Sequence, residues 1–143
     1  MKGHIGVDSK TKLIHSVVAT PANVHGSQVL PDLLHGQETR YWGDSAYIGQ
    51  QQAALSKAPK AKDFTNRRGT RSHALTEEER MTNRRKSRVR AKVEHAFCII
   101  KRVFGFAKVR YRGIAKNANR LFVTCALANL FMVRRCLIRL QEA

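Results

Sequence analysis

The 143-residue chain carries 27 Lys and Arg against 10 Asp and Glu, a formal net charge of +17. Its length suits one small domain with a single core, and its charge excludes an ordinary balanced surface and points to a polyanionic partner, nucleic acid first. Residues 1–79 hold 10 basic and 8 acidic side chains whereas residues 80–141 hold 17 and 1, so the partner surface is expected on the C-terminal half.

In chain order, the start reads as a hairpin: "HIGVD", a polar turn "SKTK", then "LIHSVVAT", with β-branched residues in both arms. Pro21 ends the second arm. In "NVHGSQVLPDLLHG" (23–36), Val29, Leu30, Leu33 and Leu34 are spaced for a short helix, provided that Pro31 sits in its first turn. A third strand, "RYWGD", follows. Residues 56–73, "SKAPKAKDFTNRRGTRSH", are basic and poor in large apolar residues, and predict a loop or disordered insertion within the domain.

"TEEE" at 76–79 is a capping-box pattern that opens a long helix running to about Phe104, where "GF" breaks it. Val89, Val93, Phe97, Ile100 and Phe104 recur at steps of 3 and 4 and mark its core-facing row. At about 100° per residue, Arg90, Glu94 and Lys101 fall within roughly 40° of one another beside that row. After the basic connector "KVRYRGIAKNANR", a last helix carries the apolar run "LFVTCALANLFMV" (121–133). That run is too short to span a bilayer and is expected to be buried. Strands first and helices later give an α/β or α+β class, with helices packed on a short sheet.

The opening "MKGHIGVDSKTKLIHS" has no long apolar run, so no signal peptide is expected. Cys98, Cys125 and Cys136 form no C-x-x-C pair, which suits a reducing cytosol and a role as buried apolar fillers.

Glu94 is the only carboxylate between Glu79 and Glu142, an interval with 17 Lys and Arg. Asp44 is the second acid of interest, where the third strand ends. Carboxylates from a strand end and a facing helix can converge, and paired Asp and Glu oxygens are what Mg²⁺ takes. Two such ions activate one oxygen and stabilise another in phosphoryl transfer. Against this, Asp after Gly is an ordinary turn residue, and Glu four residues after Arg is an ordinary helix pair. On residue chemistry alone those readings come first.

The spacing Arg90-x3-Glu94-x6-Lys101 resembles the R-E-K part of the Y-R-E-K signature of bacterial insertion-sequence transposases, the DDE enzymes of the insertion-sequence-four and insertion-sequence-five groups. Five blocks resemble that family in order: "HIGVDSKTKLIHS", "TPANVHGSQVLPDLLHG", "YWGDSAYIG", "SRVRAKVEHAFCIIKRVFGFAKVRYRGIAKN" and "LFVTCALANL". The resemblance implies an α/β, RNase H-like fold truncated at its N-terminus, with its first strand missing, and residues 1–143 as part of a catalytic domain. It implies Asp44 and Glu94 as catalytic acids and ligands of Mg²⁺, with Mn²⁺ as a substitute. Arg90 and Lys101 would contact DNA phosphate, and Arg88, Lys92, Arg102, Arg110 and Arg112 complete the expected DNA-binding set. The implied partners are double-stranded DNA, as element ends and target, and a second copy or an upstream transposase fragment. No membrane is implied, and the location is the bacterial cytoplasm, at the nucleoid.

The family's first catalytic aspartate lies upstream of the block that resembles "KGHIGVD", so no residue here is expected in that role. Asp8 sits at the hairpin turn and is not assigned to it. Ser87 stands where the signature has tyrosine, and Gly26 where family members often have Asp. The expected function is DNA transposition through metal-dependent strand cleavage and transfer, catalytically incomplete in this chain alone. The alternative, from a different class, is a non-catalytic basic nucleic-acid-binding remnant or competitor of a full-length transposase. Trp42 is expected in the core, and His95 points about 100° away from Glu94 with no second ligand at zinc spacing. His25 and His35 are taken as loop residues, and Tyr111 between Arg110 and Arg112 is a weak sign of base stacking.

Overall fold

The computed structural model of the protein describes residues 1–142. The N-terminal hairpin forms: β1 (Lys2–Val7) and β2 (Ile14–Thr20) pair antiparallel, Ile5 opposite Val17, with a register shift between Gly6 and Val7. Pro21, which has no N–H to continue a ladder, follows the last paired residue. Asp8 builds the turn. Its carboxylate accepts the N–H of Thr11 at 2.6 Å, the Thr11 hydroxyl at 2.7 Å and the N–H of Lys10 at 3.2 Å. The Thr11 donors hold the Asp8 carboxyl below its usual pKa.

A 3-10 turn (Gly26–Val29) runs into the short α1 (Leu30–Leu33), with Pro31 in its first turn, where a missing N–H costs nothing. β3 (Arg40–Tyr41) is shorter than "RYWGD" suggests and pairs in parallel with β4 (Lys62–Asp63). A second 3-10 turn (Ser45–Tyr47) and α2 (Gln51–Lys57) lie between them. Residues 64–76 form no helix or strand, but they are fastened to the following helix. Asn83 donates to the Arg67 carbonyl at 2.9 Å and accepts its N–H at 3.0 Å, and Lys86 Nζ reaches the Thr65 carbonyl at 2.8 Å.

α3 (Glu77–Arg102) opens with the expected capping box: Thr76 N–H donates to Glu79 Oε2 at 3.1 Å, and Glu79 N–H to Thr76 Oγ1 at 3.3 Å. It ends before Gly105, whose φ of 64° lets the Phe106 N–H turn back to the Ile100 carbonyl at 3.1 Å. α4 (Ile114–Gln141) follows the connector.

The chain divides into two compact units, each with its own buried cluster, where length alone suggested one core. Residues 1–22 and the chain from Val93 onward form the first; Asn23–Lys92 form the second. The first buries Ile5 and Ile14 of the hairpin with Ala96, Ile99 and Ile100 of α3 and Leu121, Cys125 and Ala128 of α4. Gly3 lets β1 approach α4 closely, since a Cβ there would stand 2.8 Å from Leu121 Cδ2. Asn129 ties α4 to β2 from both sides of one residue: its Oδ1 accepts the Ile14 N–H at 2.9 Å and its Nδ2 donates to the Ile14 carbonyl at 2.8 Å. The second unit buries Leu30, Leu34, Tyr41, Ala54, Ala58 and Ala61. Burial, the charge of Asp63 and its hydrogen bond push the Tyr41 hydroxyl well above its ordinary pKa.

Two expectations are corrected. Only Cys125 of the three cysteines is buried; Cys98 and Cys136 are exposed. Cys98 is two residues from both Ala96 and Ile100, about 200° round the helix from each, and Cys136 lies on α4 beyond its last buried residue, Ala128. The apolar run of α4 is not buried on all sides. Asn117, Leu121, Thr124, Cys125 and Ala128 face inward, while Val123 and Leu130 are 60% and 56% exposed on the far side. The 28-residue helix containing the run is long and apolar enough to cross a membrane by length and composition alone.

Candidate active site

Asp44 stands three residues past the end of β3, where its sequence position put it. Its Oδ1 accepts the Ala46 N–H at 2.8 Å, capping the 3-10 turn, and its carbonyl accepts the Tyr47 N–H at 3.1 Å. The segment around it is close-packed: a Cβ on Gly43 would sit 3.2 Å from both Thr65 Oγ1 and Tyr47 Cβ. The Gly43 carbonyl takes the Asn66 N–H at 3.1 Å. Beside this segment, Asn66 Oδ1 is buried without a hydrogen-bond partner, while, against the upward push of burial, the Thr65 hydroxyl and N–H help hold the Asp63 carboxyl below its usual pKa. Buried oxygens with unfilled lone pairs are uncommon and favour an ion or an ordered water nearby.

Sequence reasoning missed Tyr47. Burial pushes its hydroxyl above the usual phenol pKa, the Asp44 charge pushes it further, and the Arg90 guanidinium draws it back. Asp44 and Arg90 therefore act on one side chain. The signal was present as D-x-x-Y, because three residues make one turn of a 3-10 helix.

Glu94 and Lys101, two turns apart on α3, line one cleft of about 650 Å³ in the first unit. Phe97, Phe106 and Leu121 supply its apolar lining and the start of β1 closes one side. Lys101 Nζ lies 5.7 Å from the centroid of the Phe97 ring, a cation–π distance. His95 instead borders a separate cleft with Phe131 and Met132. Arg88, Arg102, Arg110 and Arg112 are exposed, and Arg90 and Lys92 are half-buried. Trp42 is half-buried and packs on Phe64, with ring centroids 5.5 Å apart. Glu79 is engaged by Arg67 and Thr76.

Asp44 and Glu94 offer the hard anionic oxygens that suit Mg²⁺, and the orphaned oxygen of Asn66 is also a hard oxygen donor. No group of three or more His, Cys, Asp or Glu suited to a metal ion occurs among the described residues.

A family model described as Transposase DDE domain matches residues 1–130. The chain belongs to that family. No solved structure matches it. The matched span takes in Asp44, Arg90, Glu94 and Lys101 and most of α4. DDE transposases act in DNA transposition, take DNA as partner and generally use divalent metal ions.

Proposed function

We propose that this DDE transposase chain is part of an RNase H-like catalytic domain of the insertion-sequence-five and insertion-sequence-four type; the basic segment 56–73, expected as a loop, holds the end of α2 and β4 and is a loop only from residue 64 onward. Asp44 serves as the second acid and Glu94 as the third. The single observation that supports this best is the sequence position of Glu94. In an interval of 17 basic residues the one carboxylate shares a cleft with Lys101, a pairing suited to a metal ligand beside a phosphate contact.

Asp44 and Glu94 would hold Mg²⁺, or Mn²⁺ in its place, and the bound ions supply Lewis-acid activation and charge neutralisation in phosphoryl transfer. Arg90, beside Tyr47, and Lys101, at the rim of the Glu94 cleft, hold phosphate oxygens and so position the strand. Arg88, Lys92, Arg102, Arg110 and Arg112 extend the backbone-binding surface, which fixes register without reading sequence. Tyr47 keeps its proton, so it can donate a hydrogen bond to a phosphate oxygen on the Asp44 side. Ser87 replaces the tyrosine of the Y-R-E-K pattern. No residue of the chain is assigned as the first acid, so cleavage requires a third carboxylate from another segment or a second copy. The protein works in the bacterial cytoplasm, on the nucleoid.

Nicking of a plasmid carrying the element's ends, with Mg²⁺ or Mn²⁺ and an added aspartate-bearing upstream segment, tests this. Metal-dependent nicking that is lost in Glu94→Gln supports the reading. DNA binding without nicking in every combination overturns it, and leaves a non-catalytic nucleic-acid-binding protein.

A further inference from the structure

The connector between α3 and α4 is built more firmly than a basic loop needs to be. Gly105 and Gly113, at φ 64° and 89°, turn the chain at its two ends. Between them, Asn117 of α4 spends its whole side chain on the loop. Its Oδ1 accepts the N–H groups of Arg110 and Tyr111, both at 3.1 Å, and its Nδ2 donates to the carbonyls of Tyr111 at 2.6 Å and Gly113 at 2.7 Å. Two acceptor sites and two hydrogens are all that an amide has. Asn117 is 3% exposed, so the bonds lie out of competing water. Arg120, one turn further on, donates to the carbonyls of Lys108 and Gly105, each at 3.2 Å. Its guanidinium sits 4.8 Å from the centroid of the Phe106 ring.

The backbone is pinned, yet Lys108, Val109, Arg110, Tyr111 and Arg112 are all exposed. Val109 and Tyr111 are each 52% exposed. Phosphate binding alone would need only the cations, which grip a duplex as well as a single strand. An aromatic ring and a valine held in water among three cations add a surface for the face of a base. Base faces are accessible only where a strand is unpaired, and stacking on aromatic side chains is how such strands are held.

We propose that the Gly105–Gly113 loop is a preformed site for unpaired DNA, with Tyr111 stacking on a base while Lys108, Arg110 and Arg112 hold the flanking phosphates. Asn117 and Arg120 are its positioning residues. The proposal rests on the DDE transposase reading and names the form of DNA that one surface takes. Preorganisation is the reason for the pins: a loop already in its bound shape loses little entropy when DNA arrives.

The test measures anisotropy of a fluorescein-labelled 12-nucleotide single strand and of the same sequence as a blunt duplex, with the full chain and with anionic phosphatidylserine vesicles as a competitor. Tyr111→Ala is expected to weaken single-strand binding about 5- to 150-fold and duplex binding less than about twofold, with thermal stability unchanged and Tyr111→Phe close to wild type. Arg110→Ala should weaken both forms and flatten the salt dependence. Equal loss for single strand and duplex in Tyr111→Ala overturns the proposal, and so does no loss in either. Vesicles that displace the single strand, with a displacement lost in Tyr111→Ala, would assign the loop to a lipid surface instead. If duplex binding and metal-dependent nicking persist while Tyr111→Ala has no effect, this proposal falls and the transposase reading stands; absence of all DNA binding removes both.

Discussion

Asp44 caps the turn that carries Tyr47: its carboxylate accepts the Ala46 N–H at 2.8 Å while its carbonyl accepts the Tyr47 N–H at 3.1 Å. The residue assigned to metal is thus also a structural cap, and the two roles separate by substitution. Asp44→Asn keeps a capping oxygen and loses the charge; Asp44→Ala loses both. Asn should leave the urea midpoint nearly unchanged and Ala should cost about 1 kcal/mol, while both abolish metal-dependent nicking. Nicking by the Asn variant at the wild-type rate would remove Asp44 from the site.

The two sides of α4 should respond unequally to truncation. Leu121 is 1% exposed and packed on the hairpin, so Leu121→Ala should lower stability by about 2–5 kcal/mol. Leu130, 56% exposed on the far side, should lose no more than about 0.5 kcal/mol on the same change. Urea denaturation of the two variants decides it, and equal losses would mean that the far face is covered in solution.

Cysteine chemistry gives a pH signature. Burial pushes the Cys125 thiol up to about 11 from an ordinary 9.0. The native state holds this proton more tightly than the unfolded chain does. The resulting stability is therefore complete below pH 9 and lost as pH rises toward 11. The fall in urea midpoint over that window should be shallower in Cys125→Ala than in wild type. At pH 8, exposed Cys98 and Cys136 should react with a maleimide, and Cys125 only after unfolding.

Removing one exposed cation should weaken DNA binding without changing sequence preference. For Arg88→Ala the slope of log affinity against log salt should become shallower by about 0.9. An unchanged slope would take Arg88 off the phosphate-binding surface.

Local rules made much of the fold legible. The Thr76–Glu79 capping box, the strand stop before Pro21, Pro31 in a first helical turn and the break of α3 before Gly105 each depend on a few neighbouring residues, and each is present. What sequence could not supply was how much surface there was to cover each apolar stripe. The run 121–133 looks buried by composition, but a two-stranded hairpin and one stretch of α3 cover only one side of α4. The same limit misplaced Cys98 and Cys136. Of the proposed site residues, Asp44 and Glu94 stood out by position and by charge contrast. Asn66 did not, because its partners Gly43 and Ser87 are distant in the chain, and Tyr47 and Asn117 did not, because nearby turn geometry rather than residue type gives them their partners.

The clamp of Asn129 on Ile14 joins residues 115 positions apart. During synthesis the hairpin emerges before the helix that secures it, and two strands alone are marginal in water. Asn23–Lys92, the second unit, is one continuous stretch and is complete before any of α4 exists. The hairpin is therefore secured only after the intervening unit has been made, and that unit has all of its own chain while the strands still wait.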